Sequence, residues 1–344
     1  MNYPSEYEYI GNRESIDKRI EKWQKMVEKL HANKPSGNNG FFQRLIYKFP
    51  LIYKRLFLLG QKHGVSITLN HYYSPIPDLR ELKDDLWLTR SELVGINIKE
   101  ENQISLLSYF ESEFKDEYEL FPRNKSAKPH EYYVNNGGFE SVDGEIAYCM
   151  IRHFKPRTVI EVGSGNSTYL IAQAILKNKE ETERYNCDLT AIEPYPNPTL
   201  IRGFPGLSNL IDQKVQSVSL SEFGKLSDSD ILFIDSSHAL KIGSDVQYEY
   251  LDILPRLQKG VIIHLHDIFL PAEYRKEWLF NNIPGRFWNE QYLLQAFLLF
   301  NDSFEVLWAG SYMHLNNPDA LERAFSSYSR DERWPGSFWI RKIK

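Results

Sequence analysis

From residue 140 onward, short β-branched and apolar runs alternate with stretches whose apolar positions recur every three to four residues. The run 158–162, TVIEV, predicts a buried strand. Gly163, Ser164 and Gly165 break it, and Ser167 and Thr168 are placed to cap the helix that follows. Further strands are predicted over 189–193, 214–218, 230–235 and 260–266, and two closing strands over 304–309 and 337–343. Helices fall between them, with one over 141–153 ahead of the first strand, one over 169–177 and an apolar one over 291–299. The alternation predicts an α/β fold: a Rossmann-like, doubly wound, mostly parallel seven-stranded sheet, which binds ligands outside the carboxyl ends of its strands.

The first 135 residues carry a different pattern and predict a mainly helical N-terminal extension. Residues 15–31 place Ile16, Ile20, Trp23, Val27 and Leu30 on one helical stripe, and KPSGNNG then ends that helix. The stretch 41–60 is apolar, aromatic and basic, and Pro50 divides it into two short helices. A membrane-surface element and a helical pair packed on the catalytic domain both fit it; the basic residues are few for a membrane patch, which favours the pair. HYYSPIPD, residues 71–78, is held extended by its two prolines, and a further helix is expected over 92–107. The Pro-, Asn- and Lys-rich stretch 118–136 marks a boundary. The domains expected are 1–135, to cap the active site or to mediate oligomerisation, and 136–344, the catalytic domain.

Composition narrows the classes of function. A net charge of −5 gives no reason to propose a nucleic-acid partner. The two cysteines, Cys149 and Cys187, cannot build a disulfide framework, no basic stretch followed by an apolar core opens the chain, and no apolar run is long enough to span a membrane. A soluble, cytoplasmic protein is expected, with a small-molecule substrate, no transmembrane segment and homo-oligomerisation as an option.

The turn 163–165 exposes backbone N–H groups at a helix N-terminus and lets a ligand approach bare main chain. Glu161, two residues before it, disfavours a pyrophosphate and favours an amino group or a ribose hydroxyl. Thr168 stands where the dinucleotide pattern wants its third glycine. Glu193, at the end of the second strand, can accept hydrogen bonds from both hydroxyls of a ribose. Together these residues describe a nucleoside site with no phosphate requirement.

VIEVGSGNSTYL, followed by TAIEP and ILFIDSSH, resembles the class I S-adenosylmethionine-dependent methyltransferases over about 139–344. The resemblance implies that Glu161, Gly163, Ser164 and Gly165, with Ser167 and Thr168 at the helix start, hold the methionine and ribose end of the cofactor. It implies Glu193 for the ribose and Gln216 or Ser217 for the adenine, although the acid usual in that last loop is missing; Asp235 and Ser236 complete the cofactor side.

Asp235 and His238 follow the fourth strand, and His264, His266 and Asp267 end the fifth, so Asp235, His238, His266 and Asp267 are expected to share one cavity. His238 suits a general base, since an imidazole titrates near neutrality, and Asp267 is paired with it as catalytic. Asp235, His266 and Asp267 form a candidate set for a divalent metal, magnesium or another, that would lower the pKa of an acceptor hydroxyl. The arrangement is similar to the metal-dependent sugar O-methyltransferases of macrolide biosynthesis, with His266 where the first of two acids is expected. His264 is read as a packing residue. For the acceptor, the expected contacts are His71, Tyr72 and Tyr73 from one side and Tyr274 and Arg286 from the other. The reading is an S-adenosylmethionine-dependent O-methyltransferase; the alternatives are a nicotinamide-dependent oxidoreductase and a non-catalytic cofactor-binding scaffold.

Overall fold

The computed structural model describes residues 50–66, 68, 70, 72–281 and 285–344. The chain divides into two compact units, Met1–Leu82 and Lys83–Lys344. The helix expected over 15–31 and the first helix expected from 41–60 lie outside the described residues. Of the first unit, the helix Pro50–Lys62 is described; it begins at the proline, whose missing N–H costs nothing in a first turn. Among the described residues no helix is long and apolar enough to cross a membrane.

The second unit is built on seven strands: β1 Thr158–Val162, β2 Asp188–Ile192, β3 Asn209–Ile211, β4 Ile231–Ile234, β5 Ile262–Leu265, β6 Phe304–Ala309 and β7 Phe338–Lys342. Their order is β3-β2-β1-β4-β5-β7-β6. β1 to β5 are parallel, and β7 is inserted antiparallel between β5 and β6. The central strands are buried on both faces, as continuous apolar runs require. Val159, Phe233, Ile262 and Trp339 face one layer of the core with Phe110, Ile146 and Leu170; Ile160, Val162, Leu232 and Ile234 face the other with Val246, Tyr250 and Leu294. This is a Rossmann-like, doubly wound α/β fold.

Two expectations are corrected. The third strand is not 214–218: β3 pairs Thr190 with Asn209 and ends at Ile211, and Val215–Ser217 coils into a 3-10 turn closed by Ser217 N–H on the Lys214 carbonyl. The β-branched Val215 and Val218 imitated a strand there, but they are buried from a turn, while the edge strand itself needs only three residues. The helix expected over 92–107 runs instead from Glu100 to Tyr118, because the chain turns through positive φ at Leu93, Gly95 and Lys99 before it can coil. The helix Glu100–Tyr118 buries Gln103, Leu107, Phe110, Phe114 and Tyr118 within the unit Lys83–Lys344.

Candidate active site

β1 delivers Glu161 to the start of the turn. Parallel register places it beside Ala191 of β2 and Phe233 of β4, in the middle of the sheet. Gly163 then takes φ +79°, and a Cβ at this position would overlap the Asp235 carbonyl. Only glycine allows β1 and the end of β4 to approach so closely. A Cβ on Gly165 would meet nothing within 4 Å, so the turn is open on that side. The helix Asn166–Glu181 starts here, its first turn fastened by Gly165 N–H donating to Thr168 Oγ1 at 2.9 Å.

Glu193 follows β2 and its carboxylate accepts from the Ser164 N–H at 3.2 Å and from the Tyr195 N–H at 2.8 Å. It therefore sits against the glycine turn. Glu161 is fully buried, and both of its carboxylate oxygens lack a hydrogen-bond partner, as does Ser164 Oγ. Burial pushes its pKa up to about 8; the Ser167 and Thr168 hydroxyls nearby offset this only in part, and the Asp235 charge adds to it. A buried, unpaired carboxylate beside an open main-chain turn fits a ligand that brings positive charge or donors. Gln216 is partly buried with its amide on the Gly243 carbonyl, and Ser217 is exposed. Ser236 Oγ donates to the buried Glu249.

At the other end stands His238, 4% exposed and in the left-handed region at φ +56°, with Asp267 likewise at +53°. Non-glycine residues held there carry backbone strain, which persists where the surroundings over-determine it. His238 Nε2 lies 3.3 Å from Asp235 Oδ1 and 3.4 Å from Asp267 Oδ2. Its Nδ1 is 2.8 Å from Oε2 of Glu290, which is buried and also accepts from Tyr250 Oη at 3.1 Å. The His238 carbonyl accepts from the N–H groups of Asn289 and Glu290, and the Trp288 ring rests 4.5 Å from the imidazole. Burial disfavours the imidazolium, but the carboxylates of Asp235, Glu290 and Asp267 outweigh it and push the His238 pKa well up.

The ligand atoms of Asp235, His238 and Asp267 all lie within 4.8 Å of one another. The sequence placed His266 in that set. The structure puts His266 Nε2 3.8 Å from Asp267 Oδ1, with its Nδ1 unpartnered and its ring against Phe139, and brings His238 into the cluster instead. Burial would lower the His266 pKa, and the carboxylates of Asp235, Asp267 and Asp143 raise it above the usual value. His264 is stacked on Phe233 at 3.8 Å, with Trp339 on its flank. Both of its ring nitrogens lack a hydrogen bond among the described residues, and burial keeps the ring neutral.

The acceptor candidates separate. Tyr274 is buried, and its hydroxyl accepts from the Gln291 N–H, so it braces the helix Glu290–Leu298. Arg286 is exposed and lies over the Trp278 and Trp288 rings at 5.0 and 4.8 Å, one ring away from His238. Tyr72 and Tyr73 are exposed in the first unit, and His71 lies outside the described residues. Sequence reasoning missed Glu290 and Tyr250. An acid in the first turn of an apolar helix was the available signal for Glu290, and the expected helix began one residue too late to include it.

Fold and site together define a doubly wound α/β protein with a glycine turn beside a cluster of titratable side chains. The methyltransferase-domain family matches residues 160–268, the segment from β1 to just past Asp267. The chain thus carries a methyltransferase domain on its doubly wound sheet. A curated protein of Archaeoglobus fulgidus described as uncharacterized is 35% identical over 177 residues, which cover 49% of this chain and 77% of that one. Among solved structures, an O-methyltransferase from Bacillus cereus in complex with SAH is 13% identical, covering 70% of this chain and 91% of that one at a TM-score of 0.34. A structure described as the apo form of CmcI-N160 is 15% identical, covering 67% and 84% at a TM-score of 0.32.

Proposed function

We propose that this methyltransferase moves the methyl group of S-adenosylmethionine to a hydroxyl oxygen of a small metabolite or sugar, with His238 as general base. The observation that carries the reading is the held imidazole: Nδ1 tied to Glu290, Nε2 turned toward the space between Asp235 and Asp267, beside the glycine turn. Glu161, Gly163, Ser164, Gly165 and Glu193 would hold the cofactor, which supplies an already activated methyl group. The protein's own work is then to seat the acceptor oxygen in line and to take its proton onto Nε2 as the oxygen–carbon bond forms. His238 must enter neutral for this. The surrounding carboxylates favour its charged form, so the competent fraction grows as pH rises.

A second reading treats His238 as a ligand. Asp235 and Asp267 with His238 offer two carboxylates and an imidazole, a donor set that suits manganese, zinc or iron better than all-oxygen magnesium. A cation held there would lower the pKa of an acceptor hydroxyl.

The test is a panel of hydroxylated acceptors, free sugars, nucleotide sugars and phenols, scored by release of S-adenosylhomocysteine, with and without dialysis against EDTA. Tight binding of NAD in place of S-adenosylhomocysteine in calorimetry would return the chain to the oxidoreductases. Turnover that survives EDTA in the wild type but not in His238→Ala supports the base. Turnover restored only by added metal, together with metal binding lost in His238→Ala, makes His238 a ligand.

A further inference from the structure

The helix Pro50–Lys62 belongs to the first compact unit, and its composition is unlike the rest of the chain. Between residues 29 and 77 there is no Asp or Glu, while Lys29, Lys34, Arg44, Lys48, Lys54, Arg55 and Lys62 give this stretch a charge of +7 in a chain of net −5. Such segregation of sign is a statement about partners rather than about fold. On the helix, Leu56 and Leu59 share one side with Tyr53 and Phe57, whose rings lie 6.2 Å apart, and Lys54, Arg55 and Lys62 take the other. Leu56 is 62% exposed and Leu59 54%; Leu51 and Leu58, set among the cations, are 75% and 54% exposed.

We propose that this helix is a docking surface for an anionic lipid bilayer, lying in the plane of the membrane with its leucines in the interfacial region. Three features select a lipid surface over other anionic partners. The exposed apolar groups are aliphatic and large, where a nucleic acid would call for hydrogen-bonding side chains and base-stacking rings. The helix carries Lys54, Arg55 and Lys62 and no acid, so an anionic leaflet adds electrostatic attraction to the burial of its leucines, which supply the rest of the hold that so few cations cannot. Lys54, Arg55 and Lys62 are long enough to rise to the headgroups while the leucines beside them go deeper. The surface is independent of the catalytic reading: it would tether a methyltransferase of any acceptor to a membrane.

The experiment is flotation of the full chain with vesicles of phosphatidylcholine alone and of phosphatidylcholine containing a minority of phosphatidylglycerol, at low and at high salt. Recovery with the anionic vesicles at low salt should exceed that with neutral vesicles by about tenfold or more, and should fall as salt screens the cations. Lys54→Gln with Arg55→Gln, which preserves helix propensity, and separately Leu56→Ser with Leu59→Ser, should each remove most of the binding. Unchanged affinity for S-adenosylhomocysteine checks that the catalytic unit is intact in each variant. Equal recovery on neutral and anionic vesicles, recovery on neither, or binding indifferent to both double variants overturns the proposal. Dimers that dissociate in the leucine variant, with no vesicle binding in the wild type, would assign the surface to a second copy of the chain instead.

Discussion

On the proposed reading, the donor end of the site is main chain from one stretch, 158–168, closed by a single distant acid, Glu193. The acceptor end is side chains from three loops, after β4, after β5 and at the start of the helix Glu290–Leu298, converging on His238. A turn built from backbone N–H groups and glycine holds its shape through local geometry, and any bound group there meets the same donors. A site built from carboxylates around an imidazole depends on how several elements pack, so its chemistry can be retuned by one distant substitution. The two ends touch at Gly163, whose missing Cβ leaves room for the Asp235 carbonyl.

The largest effect should come from removing the acceptor end alone. His238→Ala is expected to lower turnover by about a hundredfold to ten-thousandfold, the usual range for a general base, while the affinity for S-adenosylhomocysteine stays within about twofold. An undiminished rate would mean that His238 is not the base. A comparable loss of cofactor affinity would mean that the two ends are not separable.

Gly163→Ala attacks the point of contact. The positive φ and the overlap with Asp235 together should cost about 3 kcal/mol or more of stability and weaken cofactor binding with it. Gly165→Ala is the control: its Cβ would meet no protein atom, so denaturant midpoints should hold while cofactor affinity falls. If both variants unfold alike, the turn's glycines serve the fold and say nothing about a ligand.

Glu290 probes how far the acceptor end reaches into the core. Leucine at this position leaves the buried Nδ1–H of His238 without an acceptor, and a loss of about ten- to a hundredfold in turnover is expected, the usual scale for a group that orients a catalytic imidazole. Glu290→Gln keeps an acceptor oxygen and should recover part of that loss. Equal damage from both, accompanied by equal loss of stability, would reduce Glu290 to a packing residue.

The same contrast explains what could be read before the fold was known. TVIEVGSGNST is contiguous, and strand, turn and helix follow from its own propensities, so Glu161, the glycines and the cap were legible. Glu193 was legible because the strand before it is short and β-branched. Asp235, His238, His266 and Asp267 were legible as neighbours, because adjacent parallel strands end together. Which imidazole faces the carboxylates was not, since the left-handed backbone at His238 and Asp267 aims the side chains in ways that strand alternation does not predict. Glu290 arrives 52 residues after His238 on another element, and only packing brings them together. The misplaced third strand has the same origin: Val215 and Val218 are buried by neighbours, not by their own periodicity.

The smallest expected effect is on protons at the donor end. Glu161 is raised in the folded chain to about 8, above its ordinary carboxylate value, so between those two limits the folded state holds a proton that the unfolded state has lost. Stability contributed by this group therefore declines as pH rises through that window and is gone once the folded pKa is passed. A ligand that places positive charge beside Glu161 favours the ionised form and must expel the proton on binding below about pH 8. Calorimetric titration of S-adenosylhomocysteine at neutral pH, in buffers of different ionisation enthalpy, should show release of up to about one proton, with affinity rising about tenfold per pH unit at most until the release ends. Glu161→Gln should abolish the release and flatten the pH dependence. Heats that are independent of buffer in the wild type would show that no positive group comes to Glu161, and the assignment of the donor's charged end to this side of the turn would fall with it.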